Sequence, residues 1–376
     1  MSTKEKRILG ALLGVHAGDS FGAAHEFETW QAIRARFPPN GAIPRAVTGG
    51  GPFGWSPGHA TDDTDMTRAV LLAYKDCHSM GADSLSVARV ASKHMLQWFY
   101  GPWVDRPAGS WPADIGGATT SGLSLLAKTI ENSGQVDPRK AGAGHGSCGN
   151  GSLMRCIPTA LFSKGGDQQR LVEETTLISA VTHNDWRCIL ACIAYNVMVR
   201  ALAVDAATPA AAVEAGLEAV TDPKTANNIL SILTVDGQRP GQMSTLRDAK
   251  DEVVAAIEKA RLPGFRVAVL AEEGSHVKIE GDDGAEVEAL PLEGRGFVLD
   301  SLILAIAAVL DTTRSWEDLI VDVVRVGRDT DTNGAVAGGL VGARDGIDAI
   351  PESWLSTLQF REEFTSIANQ LVGSEK

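Results

Sequence analysis

Residues 8–27, ILGALLGVHAGDSFGAAHEF, carry a glycine at every fourth position: Gly10, Gly14, Gly18 and Gly22. The apolar spacing of the stretch predicts a helix, although each glycine weakens a helix by about 1 kcal/mol relative to alanine. Because residues four apart lie on the same side of a helix, the glycines leave one face without side chains. We therefore expect another element to pack closely against that face.

Helical apolar spacing continues through most of the chain. It recurs in residues 65–77, 84–100, 120–131, 170–183, 185–204, 209–220, 296–326 and 333–346. Residues 265–290 instead alternate, with GDDG between two alternating runs, which predicts a β-hairpin. Because the strands are too few for a sheet-based domain, we predict an all-α fold. It would form one multi-helix domain over residues 1–376, with a small β-hairpin excursion near residues 265–291.

Composition narrows the choice of partner and compartment. The chain has 376 residues, is 44% hydrophobic and has a formal net charge of −13. An acidic surface repels nucleic-acid phosphates and anionic membranes, so we expect neither as a partner. We also count no apolar run of the roughly 18 residues that are needed to span a bilayer. Five cysteines without a CxxC pair, and an N-terminal apolar stretch that ends at His16, favour a reducing, cytoplasmic location.

Two distant motifs concentrate aspartate and threonine: TDDTDM at residues 61–66 and RDTDT at residues 328–332. Both lead into apolar helical patterns, and Asp and Thr are common helix N-caps. A cap needs only one oxygen, which leaves the adjacent Asp62 and Asp63 unexplained. Hard divalent cations such as Mg²⁺ and Mn²⁺ take several carboxylate and hydroxyl ligands, and a two-metal site draws them from different segments. A metal site and capping with solvated charge both stay open.

Five further features also need an interpretation. Glu26 is an acid/base beside a metal or a solvated loop carboxylate, and Asp114, which opens DIGGATT, reads first as a helix cap. His183 contacts a ligand or is structural. Residues 144–155, GHGSCGNGSLMR, form a phosphate cradle of backbone N–H groups with a helix start behind it, or a flexible loop. Asp19, on the small-residue helix, is expected to bond to nearby backbone.

Taken in order, these segments resemble the ADP-ribosylglycohydrolase family over nearly the whole chain. The resemblance runs through GALLGVHAGDSFGAAHE, TDDTDM, DIGGATT, GSCGNGSLMR, TH, GRDTDTNGAVAGGLVGA and IPESW. It implies an all-α enzyme with two divalent cations, Mg²⁺ or Mn²⁺, in a cleft. It also implies cleavage of the glycosidic bond between ADP-ribose and an acceptor, with arginine on a protein favoured over small ADP-ribose conjugates.

The same resemblance implies roles for individual residues. The implied metal ligands are Thr61, Asp62, Asp63, Asp329, Asp331 and Thr332. The implied catalytic residues are Glu26, Asp62 and Asp114. The implied substrate-binding residues are Gly146, Ser147, Cys148, Asn150, Gly151, His183 and Arg328.

Four departures from the family pattern bear on substrate preference. Arg328 stands where the family usually has glycine, Ala118 replaces a threonine, and Cys148 stands where some relatives have tyrosine. Residues 262–296 are longer than the family core and are predicted to be an insertion that covers the cleft.

Three other functions stay open on the sequence. The acceptor bond could be O-linked, to serine or acetyl. The chain could bind ADP-ribose without cleaving it, although the complete Asp/Thr set and Glu26 argue against that reading. A two-metal hydrolase of phosphoesters is the third alternative.

Overall fold

The computed structural model of the protein describes residues 1–38, 43–164, 168–237, 243–280, 284, 286–290 and 292–373. Helices dominate this part of the chain, with one pair of short strands. The helices are α1 (Thr3–Gly22), α2 (Trp30–Arg36), α3 (Asp62–Cys77), α4 (Ser84–Tyr100), α5 (Gly117–Ser133), α6 (Ile157–Phe162), α7 (Gln168–Ala180), α8 (Trp186–Ala203), α9 (Pro209–Thr221), α10 (Pro223–Leu233), α11 (Met243–Arg261), α12 (Val267–Glu273), α13 (Val298–Leu310), α14 (Trp316–Arg325), α15 (Thr330–Asp345), α16 (Glu352–Leu355) and α17 (Arg361–Gly373).

Helices α1 and α15 are in backbone contact along their glycine faces. A Cβ atom added to Gly18 would lie 2.0 Å from the carbonyl oxygen of Gly334, and one added to Gly14 would lie 2.2 Å from that of Gly338. Real Cβ atoms essentially never approach another atom within 3.0 Å, so only glycine permits this packing. The predicted partner of the glycine face is therefore α15, which carries glycines of its own.

The predicted all-α class is confirmed, and the predicted hairpin is smaller than expected. Its strands, β1 (Lys278–Glu280) and β2 (Glu286–Glu288), are antiparallel, with Ile279 opposite Val287. The GDDG turn residues 281–283 lie outside the described residues. Residues 267–273, part of the predicted alternating run, form α12 instead. That prediction was wrong because Val267, Leu270 and Ala271 are buried at helical spacing.

Helix α8 is buried along almost its whole length. By length and composition it could cross a membrane, contrary to our count of apolar runs, but 89% of its apolar window is buried inside the fold. Core helices of this kind are apolar all round. The apolarity of α8 is therefore accounted for by its neighbours in the protein.

Three helix ends meet where the glycine-faced pair stops. Asp19 of α1 accepts hydrogen bonds from the backbone N–H groups of Thr61 (3.2 Å) and Thr64 (3.3 Å) and from the Thr64 hydroxyl. Thr330, at the start of α15, donates to the carbonyl oxygen of Gly22 at 2.7 Å. Asp19 therefore bonds to nearby backbone as predicted, and it fixes α3 against α1.

Candidate active site

A cluster of carboxylates lies where these helix ends meet. Glu26 follows a short 3₁₀ turn after α1, Asp62 and Asp63 form the first turn of α3, and Asp331 lies in the first turn of α15. Asp114, from the loop before α5, completes one wall. One carboxylate oxygen each from Glu26, Asp114 and Asp331 lies within 4.8 Å of the others, a grouping that could hold a metal ion. The cluster opens into a cleft of about 480 Å³.

Helix capping accounts for little of this cluster. Thr61 does cap α3, because its hydroxyl accepts from the N–H of Asp63. Asp329 precedes α15 without a side-chain cap bond. The N-cap of α5 is Gly116, so the expectation that Asp114 caps a helix was wrong. A loop turns the Asp114 carboxylate into the cleft instead.

Several carboxylate oxygens in the cluster are buried without a hydrogen-bond partner in the described part of the chain. They are Glu26 Oε2, Asp63 Oδ1, Asp114 Oδ2 and Asp331 Oδ1. Glu26 is only 6% exposed, so it is not the solvated loop carboxylate that its sequence context also allowed. A buried charge without a partner costs several kcal/mol, on the order of a large mutational effect.

The pKa values of these groups reflect burial and mutual repulsion. Burial first, and the charges of Asp114 and Asp329 second, raise the pKa of Glu26 to about 9. Burial and neighbouring carboxylates likewise raise the pKa values of Asp63 and Asp331 well above their usual range. The cluster therefore attracts protons, or any other cation that reaches it.

The two Asp/Thr motifs are brought together by Asp63. Its Oδ2 atom accepts from the Thr61 hydroxyl at 3.3 Å and from the Thr332 hydroxyl at 3.2 Å. Asp63 and Thr332 are 269 residues apart. The sequence-based expectation that the motifs converge at helix starts is thus met by a direct contact.

Asp65 belongs to the TDDTDM motif but not to the cluster. Its two oxygens accept from the indole N–H groups of Trp98 (3.0 Å) and Trp103 (2.7 Å). Residues two apart on a helix do not face each other, so the Asp65 side chain points away from that of Asp63. Asp65 is therefore a structural carboxylate that anchors α4 and the loop after it.

The glycine-rich loop is less open than a phosphate cradle would be. The N–H of Gly146 donates to Asp185 Oδ2 at 2.7 Å, and the N–H of Asn150 donates to the carbonyl oxygen of Gly296 at 3.0 Å. Helix α6 begins at Ile157, just behind residues 144–155, so the expected helix start is present. Of residues 144–155, those on the cleft wall are Gly149, Asn150, Gly151 and Met154. Gly146 and Cys148 line an adjoining pocket instead. Ser147 does not line that pocket.

Asn150 connects this loop to the carboxylate cluster. Its amide donates to Asp329 Oδ2 at 2.7 Å and to the Ser301 hydroxyl at 2.9 Å. The Ser301 hydroxyl in turn donates to Asn333 at 2.8 Å. This network fixes the rotamer of Asp329, and Ser301 and Asn333 are members that sequence reasoning missed.

His183 lies on the cleft wall. A buried chain of hydrogen bonds (the relay) determines which of its ring nitrogens carries the proton. Arg155 donates to the Thr182 hydroxyl oxygen at 2.6 Å, and this oxygen lies 2.7 Å from His183 Nδ1. Among the described residues, the Thr182 O–H has no hydrogen-bond acceptor other than His183 Nδ1. Burial, together with the Arg155 charge, lowers the pKa of His183 to about 3, so the ring is neutral. Its proton then resides on Nε2, on the side of Gly149 and Gly151.

The relay predicts a tautomer that NMR can observe. In Thr182→Val, the His183 ring loses its hydroxyl donor and Arg155 loses an acceptor. We expect the Nε2–H preference to disappear and the free energy of unfolding to fall by about 2 kcal/mol. Ring ¹⁵N shifts and denaturant unfolding measure the two effects. Thr182→Ser keeps the hydroxyl and serves as the control, and ring shifts in the valine variant identical to the wild type would contradict the relay.

Arg328 lies on the cleft wall, but its guanidinium is already paired. It donates to Glu293 at 3.1 Å, and Glu293 also binds Arg295 at 2.7 Å. Arg295 and Gly296 come from the end of the stretch 262–296 and line the cleft. That stretch therefore contributes part of the wall. Sequence reasoning missed these two residues because an irregular loop carries no periodic signal.

Comparisons with known proteins agree with this architecture. A family model described as ADP-ribosylglycohydrolase matches residues 1–376. The chain is 27% identical over 362 residues to an ADP-ribosyl-[dinitrogen reductase] glycohydrolase of Rhodospirillum rubrum, covering 95% of this chain and 92% of that protein. It is 24% identical to an ADP-ribosylarginine hydrolase of Pseudomonas putida, covering 97% and 77%. A solved ADP-ribosylglycohydrolase-related protein complex matches 100% of both chains with a TM-score of 0.59 and 25% identity.

Proposed function

The chain belongs to the ADP-ribosylglycohydrolase family, and from this premise we propose that it hydrolyses the bond between ADP-ribose and arginine on a protein, with two divalent cations at the carboxylate cluster. The observation that carries the proposal is the set of buried, unpartnered carboxylate oxygens around the cleft. The relatives named above act on ADP-ribosylated dinitrogen reductase and on ADP-ribosylarginine, which favours an arginine linkage.

The residues present fit hard divalent cations. The unpartnered oxygens of Glu26, Asp63, Asp114 and Asp331 are carboxylate oxygens in a largely buried site. Mg²⁺ and Mn²⁺ prefer such ligands, whereas zinc favours histidine and cysteine. By the family resemblance, the residues that would hold the cations are Thr61, Asp62, Asp63, Asp329, Asp331 and Thr332. Glu26 and Asp114 each place an oxygen within 4.8 Å of one on Asp331 and could take part. Bound cations would supply charge neutralisation and lower the pKa of a water molecule.

Glu26 is proposed to move the proton in hydrolysis. Its buried Oε2 atom has no protein partner among the described residues, and the carboxyl lies on the cleft wall beside Asp114. There it can take a proton from the attacking water or give one to the leaving acceptor. The transition state at the ribose carbon would be oxocarbenium-like, as in other glycoside hydrolysis.

Other cleft residues would bind and orient the ADP-ribose. The Nε2–H of His183 is a fixed donor for a ribose or phosphate oxygen. Gly149 and Gly151 leave room beside that ring, because a Cβ on Gly151 would lie 2.9 Å from the His183 Cε1 atom. Asp114, with one unpartnered oxygen, would accept hydrogen bonds from the guanidinium of an arginine acceptor.

A direct assay tests the proposal. Purified protein stripped with a chelator is offered arginine- and serine-ADP-ribosylated peptides, with and without Mg²⁺ or Mn²⁺. We expect metal-dependent release of ADP-ribose from the arginine peptide, and loss of release in Asp62→Ala/Asp63→Ala and in Glu26→Gln. Release from the serine peptide alone would reassign the linkage. Binding of ADP-ribose without release from either peptide would indicate a non-catalytic binder.

A further inference from the structure

Two exposed phenyl rings stand side by side at the mouth of the cleft. Phe27 is 61% exposed and Phe53 is 39% exposed, and their ring centroids are 6.3 Å apart in an edge-to-face arrangement. Phe27 also lines the cleft and directly follows Glu26. The rings therefore join the inner wall of the cleft to the outer surface. We call Phe27 and Phe53 the aromatic rim.

The backbone conformation that holds Phe27 at the mouth of the cleft is strained. Its φ is +64°, a conformation that is rare for a bulky residue and costs about 1–3 kcal/mol. Two short bonds enforce it: the Phe27 N–H donates to the Arg328 carbonyl at 2.7 Å, and the Arg328 N–H donates to the Glu28 carbonyl at 2.6 Å. Arg328 is itself left-handed, with φ of +74°. The ring is thus fixed at the mouth rather than left there by a loose loop.

Phe53 is held with similar firmness. It lies in a tight turn closed on both sides by backbone bonds of 2.8 Å between Gly50 and Trp55. The Trp55 ring lies 5.6 Å from the Phe53 ring and stacks on His59 at 4.9 Å. A rigid aromatic side chain loses little conformational entropy when another molecule covers it.

We propose that the aromatic rim is a docking surface for an ADP-ribosylated protein. It would bind the polypeptide segments that flank the modified residue. This inference rests on the proposed function. A cleft of about 480 Å³ is the size of a pocket for one small ligand, so the polypeptide of a protein acceptor stays outside it. The acceptor bond must lie next to Glu26, and the polypeptide therefore leaves the cleft beside Phe27. Rigid aromatic rings at such a position are typical anchors of protein interfaces.

The test compares two substrates that differ only in the polypeptide: a folded protein ADP-ribosylated on arginine, and free ADP-ribosylarginine. Phe53→Ala and Phe53→Ser each remove the ring that lies outside the cleft wall, and they leave Phe27, which lines the cleft, in place. We expect each variant to lose about tenfold in kcat/KM for the modified protein. For free ADP-ribosylarginine we expect kcat/KM to stay within about twofold of wild type.

Met80→Ala is the matched control, because Met80 is an exposed apolar side chain in the turn after α3, far from the Asp62 end of that helix. It should affect neither substrate. Equal losses on both substrates would overturn the proposal and make the rings part of the ligand cleft. Unchanged kcat/KM on both substrates would overturn it as well. A wild-type protein that releases ADP-ribose from neither substrate would instead contradict the proposed function.

Discussion

Replacing Asp63 by asparagine is expected to stabilise the metal-free protein and to abolish its stabilisation by Mn²⁺. Asp63 is fully buried, and its Oδ1 atom has no partner among the described residues. Asparagine keeps the shape and removes the charge, so the free energy of unfolding without metal should rise by about 1–3 kcal/mol. Wild-type protein should gain about 2.7 kcal/mol when Mn²⁺ is present at a hundred times its Kd, whereas the variant should gain little.

Asp65 supplies the matched control two residues away. Its oxygens accept from the indole N–H groups of Trp98 and Trp103, and an asparagine there would turn an N–H toward one indole N–H. Asp65→Asn should therefore lower the free energy of unfolding by about 3 kcal/mol while keeping the response to Mn²⁺. Thermal unfolding of both variants, with Mn²⁺ and with a chelator, gives all four values. Metal-free destabilisation in Asp63→Asn, or a full Mn²⁺ response there, would remove Asp63 from the metal site.

Gly18→Ala is expected to destabilise the protein by about 3 kcal/mol or more, because the added methyl group would meet backbone rather than a movable side chain. The nearest atom is the Gly334 carbonyl oxygen, 2.0 Å from the new Cβ. Relief requires α1 and α15 to separate, and that shift would also move Asp19 and Asp331. We therefore expect loss of hydrolysis together with loss of stability.

Gly373→Ala is the control for this effect. Gly373 ends α17, and nothing lies within 4 Å of an added Cβ there. Its substitution should change the free energy of unfolding by no more than about 0.5 kcal/mol. Urea unfolding of the two variants beside wild type measures the difference. A Gly18→Ala variant as stable as Gly373→Ala would mean that the two helices are not in backbone contact.

Sequence reasoning succeeded where a pattern has a physical cause of its own. Glycines four residues apart have few uses other than close helix packing. The sequence therefore predicted that another element packs on α1, but it did not show that this element is α15. The two Asp/Thr motifs carry more carboxylates than caps require, and they meet through Asp63 and Thr332. In both cases the local pattern is unfavourable by itself, and contact with another segment of the chain compensates for it.

Sequence reasoning failed where tertiary context decides the outcome. Asp114 stands where a helix cap would stand, but the loop before α5 points it into the cleft. The alternation of residues 267–273 is typical of a strand, yet burial at helical spacing makes them a helix. Arg295 reaches the cleft from an irregular loop that no periodicity marks. These positions depend on segments that are distant in sequence, and a single chain read locally does not contain that information.

The pairing of α1 with α15 also has a consequence for protein synthesis. Gly22 and Thr330, which are bonded in the fold, are 308 residues apart. At the usual 5–20 residues per second, a ribosome needs roughly 15–60 s between the two. Throughout that interval α1, a helix weakened by its glycines, lacks the helix that packs on its glycine face, and Glu26 lacks Asp331. A nascent chain that stalls before residue 329 therefore has neither its central packing nor its complete carboxylate cluster, so only nearly full-length chains acquire the site.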